Sequence, residues 1–107
     1  MENKKLIDEL HFCAAQCNHC YDACQMEKDK EELKRCMVLD LDCADICRLT
    51  AQVLERNSET ADLFLKFCAE ICEKCAEECD KHSQLEHCKK CAEACHRCAE
   101  MCQNPVA

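Results

Sequence analysis

Glycine is absent from the 107 residues, proline occurs once, at position 105, and tryptophan does not occur. A chain without glycine lacks the residue that enters left-handed turns at no steric cost, and one proline offers few fixed bends. Hairpins are thereby disfavoured and long helices are not. Aromatic side chains are also scarce, three Phe and one Tyr, so Leu, Ala and Ile need another residue type beside them to fill a core. No apolar run approaches the roughly 20 residues that cross a bilayer. The opening residues, Met-Glu-Asn-Lys-Lys-Leu-Ile-Asp, hold no apolar run of signal-peptide length and no twin arginine. The expected location is cytoplasmic, where thiols stay reduced. Basic residues are outnumbered, 14 Lys and Arg against 22 Asp and Glu, for a net charge of −8. Phosphates and anionic headgroups would be repelled by such a surface, which argues against nucleic acid and membrane as partners.

What the chain has instead is cysteine, at 16 of 107 positions. Its length fits one domain, 1–107, with a single modest core. The stretch from Cys88 to Cys102 sets the pattern: Cys88, Cys91, Cys95, Cys98 and Cys102 follow one another at steps of three, four, three and four. Positions three and four apart lie side by side on one face of an α-helix. The Lys, Glu, Ala, His and Arg between them suit the solvated face. A first helix over about 3–27 carries Cys13, Cys17, Cys20 and Cys24, and the same stripe reaches Leu10 and Leu6 towards its start. A second, over about 30–56, would be capped by Asp29 with Glu32 three residues on. It carries Cys36, Cys43 and Cys47, with Asp40 at the stripe position where a further cysteine would fit, and continues to Ala51 and Leu54. Asn57-Ser58 reads as a stop followed by a restart. The third helix, about 59–81, carries Cys68, Cys72, Cys75 and Cys79, preceded on the stripe by Ala61 and by Phe64 or Leu65 and followed by His82. Ser83-Gln-Leu-Glu86 has the form of a capping box opening a fourth helix over about 84–103, which Asn104-Pro105 ends.

Four helices with short connections and one buried stripe each read as an all-α, antiparallel up-down-up-down four-helix bundle with a Cys-lined core. Alternating direction gathers Leu6, Leu10, Ala51, Leu54, Ala61 and Phe64 at one end as an aliphatic plug. The other end collects Cys24, Cys36, Cys79, His82, His87 and Cys88, with Met26 nearby. This polarity predicts a single mouth, with metal entering beside His87 and Cys88 and filling towards Cys102.

Sulfur on every helix needs a chemical reason. A disulfide framework fits poorly, because helical neighbours hold their Cβ atoms about 5–6 Å apart where a bridge wants roughly 3.5–4.5 Å. Free cysteine can pack as a small hydrophobe, which explains one or two in a core but not 16. Soft thiolates select Cu(I), zinc or iron–sulfur centres. Structural zinc asks for four converging ligands, usually from loops, and iron–sulfur motifs add a Cys-Pro and an enclosing loop that this chain lacks. Zinc or cadmium buffering and an iron–sulfur electron carrier remain the alternatives. Cu(I) is content with two or three thiolates, and one Cu⁺ replacing each thiol proton leaves a buried core neutral, whereas zinc with four thiolates buries a dianion. Capacity should then approach one Cu⁺ per cysteine, with protons released on binding and affinity weakened in acid. The C-x₂-C steps at Cys72 and Cys88 lack the βαβ context of redox motifs. No catalytic turnover is expected.

The run Cys36-Met-Val-Leu-Asp-Leu-Asp-Cys43-Ala-Asp-Ile-Cys47, the Cys68–Cys79 stripe and the closing Cys88–Cys102 stripe resemble the cytosolic bacterial copper storage proteins, Cys-rich four-helix bundles sometimes mislabelled as ferredoxins. The resemblance spans nearly the whole chain. It implies a Cu(I) store that folds without metal and assembles as a homotetramer; multiple ions per chain are expected, with a copper chaperone or efflux protein as donor or acceptor. Among single residues, His82 and His87 are candidate ligands at the mouth, and Asp40 is a candidate within the core, where it could ligate metal or hydrogen-bond a neighbour. His11, His19 and His96 fall off the stripes and read as surface; Met26, Met37 and Met101 read as packing or surface.

Overall fold

The amphipathic stripes become four helices in a computed structural model that describes residues 3–105. They are α1 (Lys4–Gln25), α2 (Lys34–Glu55), α3 (Ala61–Asp80) and α4 (Glu86–Gln103). Each packs against its two neighbours in a closed ring, α1 on α2, α2 on α3, α3 on α4 and α4 on α1, with consecutive helices antiparallel. The resulting rod measures 44 × 18 × 17 Å. All 16 cysteines are buried and unpaired, and their sulfurs form the axis of the rod. Leu6, Leu10, Ala51, Leu54 and Leu65 close one end of the same core. Of the two α3 candidates for that plug, Leu65 is buried and Phe64 only partly so.

The connections differ from expectation. Asp29 does not cap α2, which starts at Lys34 with Leu33 in the cap position and no side-chain cap. Residues 29–34 instead form tight turns, with Glu32 N donating to Asp29 O, Leu33 N to Lys30 O and Lys34 N to Glu31 O. This backbone seats Leu33, 3% exposed, against the core, and burying a leucine is worth more than a cap of about 1 kcal/mol. Ser83 likewise makes no cap: Leu85 stands before α4 in an extended conformation and leans on the core, so Glu86 is the first helical residue. There its charge still complements the helix dipole. The stop at Asn57-Ser58 is realised as a Schellman motif. Asn57 has φ 50°, its N–H donates to Leu54 O, and Ser58 N–H donates to Val53 O. With no glycine in the chain, asparagine takes the left-handed position, which it tolerates better than most residues.

Candidate metal centre

Because each stripe advances at alternating steps of three and four, its sulfurs stay on the bundle axis along the whole helix. Four such rails interleave, and the sulfurs meet in triangles. At the end opposite the aliphatic plug, Cys20, Cys24 and Cys88 stand 3.9 Å from one another on all three sides. Deeper, Cys17, Cys91 and Cys95 form sides of 3.8, 3.5 and 4.0 Å. Cys13, Cys43 and Cys95 follow at 4.0, 3.8 and 3.8 Å. Cys43, Cys47 and Cys72 lie 4.0, 3.6 and 3.7 Å apart. Cys47, Cys68 and Cys72 make the last triangle, with sides of 3.9, 3.7 and 3.9 Å.

The centre of an equilateral triangle of such a side lies about 2.3 Å from each corner, the usual length of a metal–thiolate bond. The four deeper triangles share corners at Cys43, Cys47, Cys72 and Cys95, so their ligand field is continuous along the axis, while the first triangle shares no corner with them. Diagonal pairs contribute as well: Cys43 meets Cys95 at 3.8 Å and Cys47 meets Cys98 at 4.0 Å, both between α2 and α4. Cys102 is buried at the plug end beside Cys68 and Cys98 and is a corner of none of these triangles.

Asp40 turns inward, 0% exposed. Its Oδ1 accepts from Cys75 at 3.4 Å, Cys91 at 3.4 Å and Cys79 at 3.7 Å, while Oδ2 lies 4.0 Å from Cys36. Cys36 and Cys79 are 3.5 Å apart. Burial, helped by the charge that Cys91 and Cys36 can carry, pushes the Asp40 carboxyl up to about 9. It is therefore a neutral acid at neutral pH, which is how a carboxyl can sit inside a thiol core without a cation. Burial also pushes the Cys24 thiol up to about 11.

The two histidines expected at the mouth differ. His87 Nδ1 faces the first triangle, 3.7 Å from Cys20, 3.8 Å from Cys24 and 3.6 Å from Cys88, so that Cys20, Cys24, His87 and Cys88 form a four-donor set. Its Nε2 donates to Glu27 Oε2 at 3.1 Å. His82 pairs through Nε2 with Glu78 Oε2 at 3.1 Å, and none of its side-chain contacts is to a sulfur. Glu78 is 5% exposed. Burial alone would raise its carboxyl, but the hydrogen bonds from His82, Arg35 and Lys81 outweigh that and hold it below the ordinary carboxylate range. His82 and Glu27, the partner of His87, help to line a cleft of about 490 Å³ together with Met26, Asp29, Glu32 and Leu85. Met26 is exposed and touches no thiol cluster, while His11, His19 and His96 are exposed on the outer faces.

Glu27 and Glu78 were not legible as functional positions. Glu78 stands four residues before His82, a spacing that signals the pair, but Glu27 meets His87 only because the ends of α1 and the start of α4 are neighbours.

Comparison with known proteins places this geometry. The sequence profile of the copper storage protein family matches residues 1–107. An uncharacterized cysteine-rich protein of Bacillus subtilis, YhjQ, is 41% identical over 83 residues, 78% of this chain and 76% of the relative. Among solved structures, the Cu(I)-bound copper storage protein BsCsp3 superposes with a TM-score of 0.94 at 37% identity, covering 100% of both chains. A cytosolic copper storage protein from Streptomyces lividans carrying five coppers gives 0.89 at 41% identity, over 92% of this chain and 86% of that one. With a match from end to end, the chain belongs to the copper storage protein family.

Proposed function

We propose that this chain is a cytoplasmic Cu(I) reservoir in one domain, binding many ions through its 16 cysteines without catalytic turnover. The observation that carries the reading is the row of sulfur triangles along the axis, four of them sharing corners, so that one thiolate can bridge more than one ion. Each uptake step is a proton exchange: a thiol loses H⁺, its sulfur bonds Cu⁺, and the core gains no net charge. Neutral thiols pack as small hydrophobes, and copper replaces their protons without leaving bare anions.

His87 completes the first triangle as a fourth donor, His82 stands beside the cleft for transfer, and Asp40 lies among four thiols as a further oxygen donor or proton source. Self-assembly is supported by Leu49, Leu63 and Phe67 on the outer face of α2 and α3, with Phe67 55% exposed, since apolar patches of this kind mark protein interfaces. A copper chaperone or efflux protein would serve as donor or acceptor at the mouth. The relative that is Cu(I)-bound and shares this fold supports copper over zinc or an iron–sulfur cluster.

Titration of the reduced, metal-free protein with Cu(I) against a chromophoric chelator tests this. Uptake on the order of one ion per cysteine, with about one proton released per ion, is expected. Saturation after only a few ions would defeat the storage reading.

A further inference from the structure

The first triangle has a fourth donor whose aim depends on a residue outside it. His87 has two ring nitrogens, and a neutral imidazole carries its hydrogen on only one of them. A carboxylate can only accept a hydrogen bond, so Glu27 Oε2, 3.1 Å from Nε2, requires the hydrogen at Nε2. The bare lone pair is then on Nδ1, which lies 3.6–3.8 Å from the three sulfurs of the triangle.

Glu27 is held for this task by backbone. It follows the end of α1, where Met26 N donates to Ala23 O and Glu27 N to Cys24 O. That turn ties the carboxylate to the same helix end that supplies Cys24. The side chain is only 35% exposed, and His87 13%, so both are confined between α1 and the start of α4. His82 provides the contrast. It too has a carboxylate on Nε2, yet its partner Glu78 also serves Arg35 at 2.6 Å and Lys81 at 3.3 Å, and no sulfur faces the ring.

We infer that Glu27 is a positioning residue for copper capture: by accepting from His87 Nε2 it fixes the tautomer and ring orientation that aim Nδ1 at Cys20, Cys24 and Cys88. Carboxylate partners of ligating imidazoles act in this way generally, and their loss costs about 10–100-fold in metal affinity or activity. The inference rests on the copper reading of the core, and adds that the entry step is set by a residue that touches no metal. Glu27 governs how fast the first ion is taken and leaves the number stored unchanged.

The test uses the full reduced chain and two variants, Glu27→Ala and Glu27→Gln. Nitrogen-15 NMR of the His87 ring in the metal-free protein reports the tautomer. Stopped-flow transfer of one Cu(I) equivalent from a chromophoric chelator reports capture, and titration to saturation reports capacity. Wild type should show hydrogen at Nε2. Glu27→Ala should lose that single tautomer and slow first capture by about tenfold, with capacity unchanged. Glu27→Gln, whose amide oxygen still accepts from Nε2, should keep the wild-type tautomer and capture within about twofold of wild type. Hydrogen at Nδ1 in wild type, or a Glu27→Ala variant in which either tautomer or capture rate stays as in wild type, overturns the inference. A wild-type chain that stores only a few ions would instead defeat the copper reading itself, so the two failures are distinguishable.

Discussion

Asp40 shows how a single side chain can be read for place but not for state. Its spacing, four after Cys36 and three before Cys43, puts it on the sulfur stripe. Whether it would turn inward depended on partners supplied by other helices: Cys75 and Cys79 from α3 and Cys91 from α4. Inside, burial lifts its carboxyl from 3.8 to about 9. The folded metal-free chain therefore keeps a proton that the unfolded chain loses near 3.8. Between those values the folded state binds more protons, so this group's contribution to stability is full below pH 3.8 and declines as pH rises towards 9. Asp40→Asn removes the proton linkage while keeping the shape. Urea unfolding of the reduced, metal-free variant should show a flatter dependence on pH over that window and greater stability than wild type at its alkaline end. Parallel pH profiles for the two proteins would refute the neutral-acid reading.

At the scale of the helix, α4 is the most densely sulfur-lined rail, with five thiols, yet those thiols are not equivalent. Cys95 is a corner of two triangles, one with Cys13 and Cys43 and one with Cys17 and Cys91. Cys102, on the same stripe two turns later, is in none. The spacing alone made the two interchangeable, because periodicity fixes the face of a helix and not its axial register against the others. Cys95→Ala should therefore lower copper capacity by about two ions per chain and Cys102→Ala by at most about one, given three donors per ion. Chelator titration of both variants settles it, and equal losses would contradict corner sharing. Register also explains the failed caps: Asp29 and Ser83 have the right residue types, but seating Leu33 and Leu85 on the core decided where α2 and α4 begin.

For the whole molecule, burial and exposure together set the behaviour. A core of thiols and small aliphatics packs without metal because a neutral thiol behaves as a small hydrophobe. Metal bound to the folded form alone then raises stability by mass action, which makes storage and stability one linked property. The outer face of α2 and α3 leaves Leu49, Leu63 and Phe67 facing outward. Phe67→Glu puts a charge at the centre of that face, and sedimentation velocity should show a shift from an assembled species to monomer at unchanged helical content. A wild-type chain that sediments as a monomer would remove this face as the basis of assembly. The sequence by itself determined the helical class, the four stripes, the plug and the soft-metal chemistry, because helix period, the absence of glycine and thiol reactivity are local properties of the chain. Only the tertiary structure decided which sulfurs close triangles, that Asp40 is neutral and inward, and that Glu27 rather than a stripe residue stands behind His87. Each of those depends on how far one helix is shifted along its neighbour, and packing of the assembled core sets that shift.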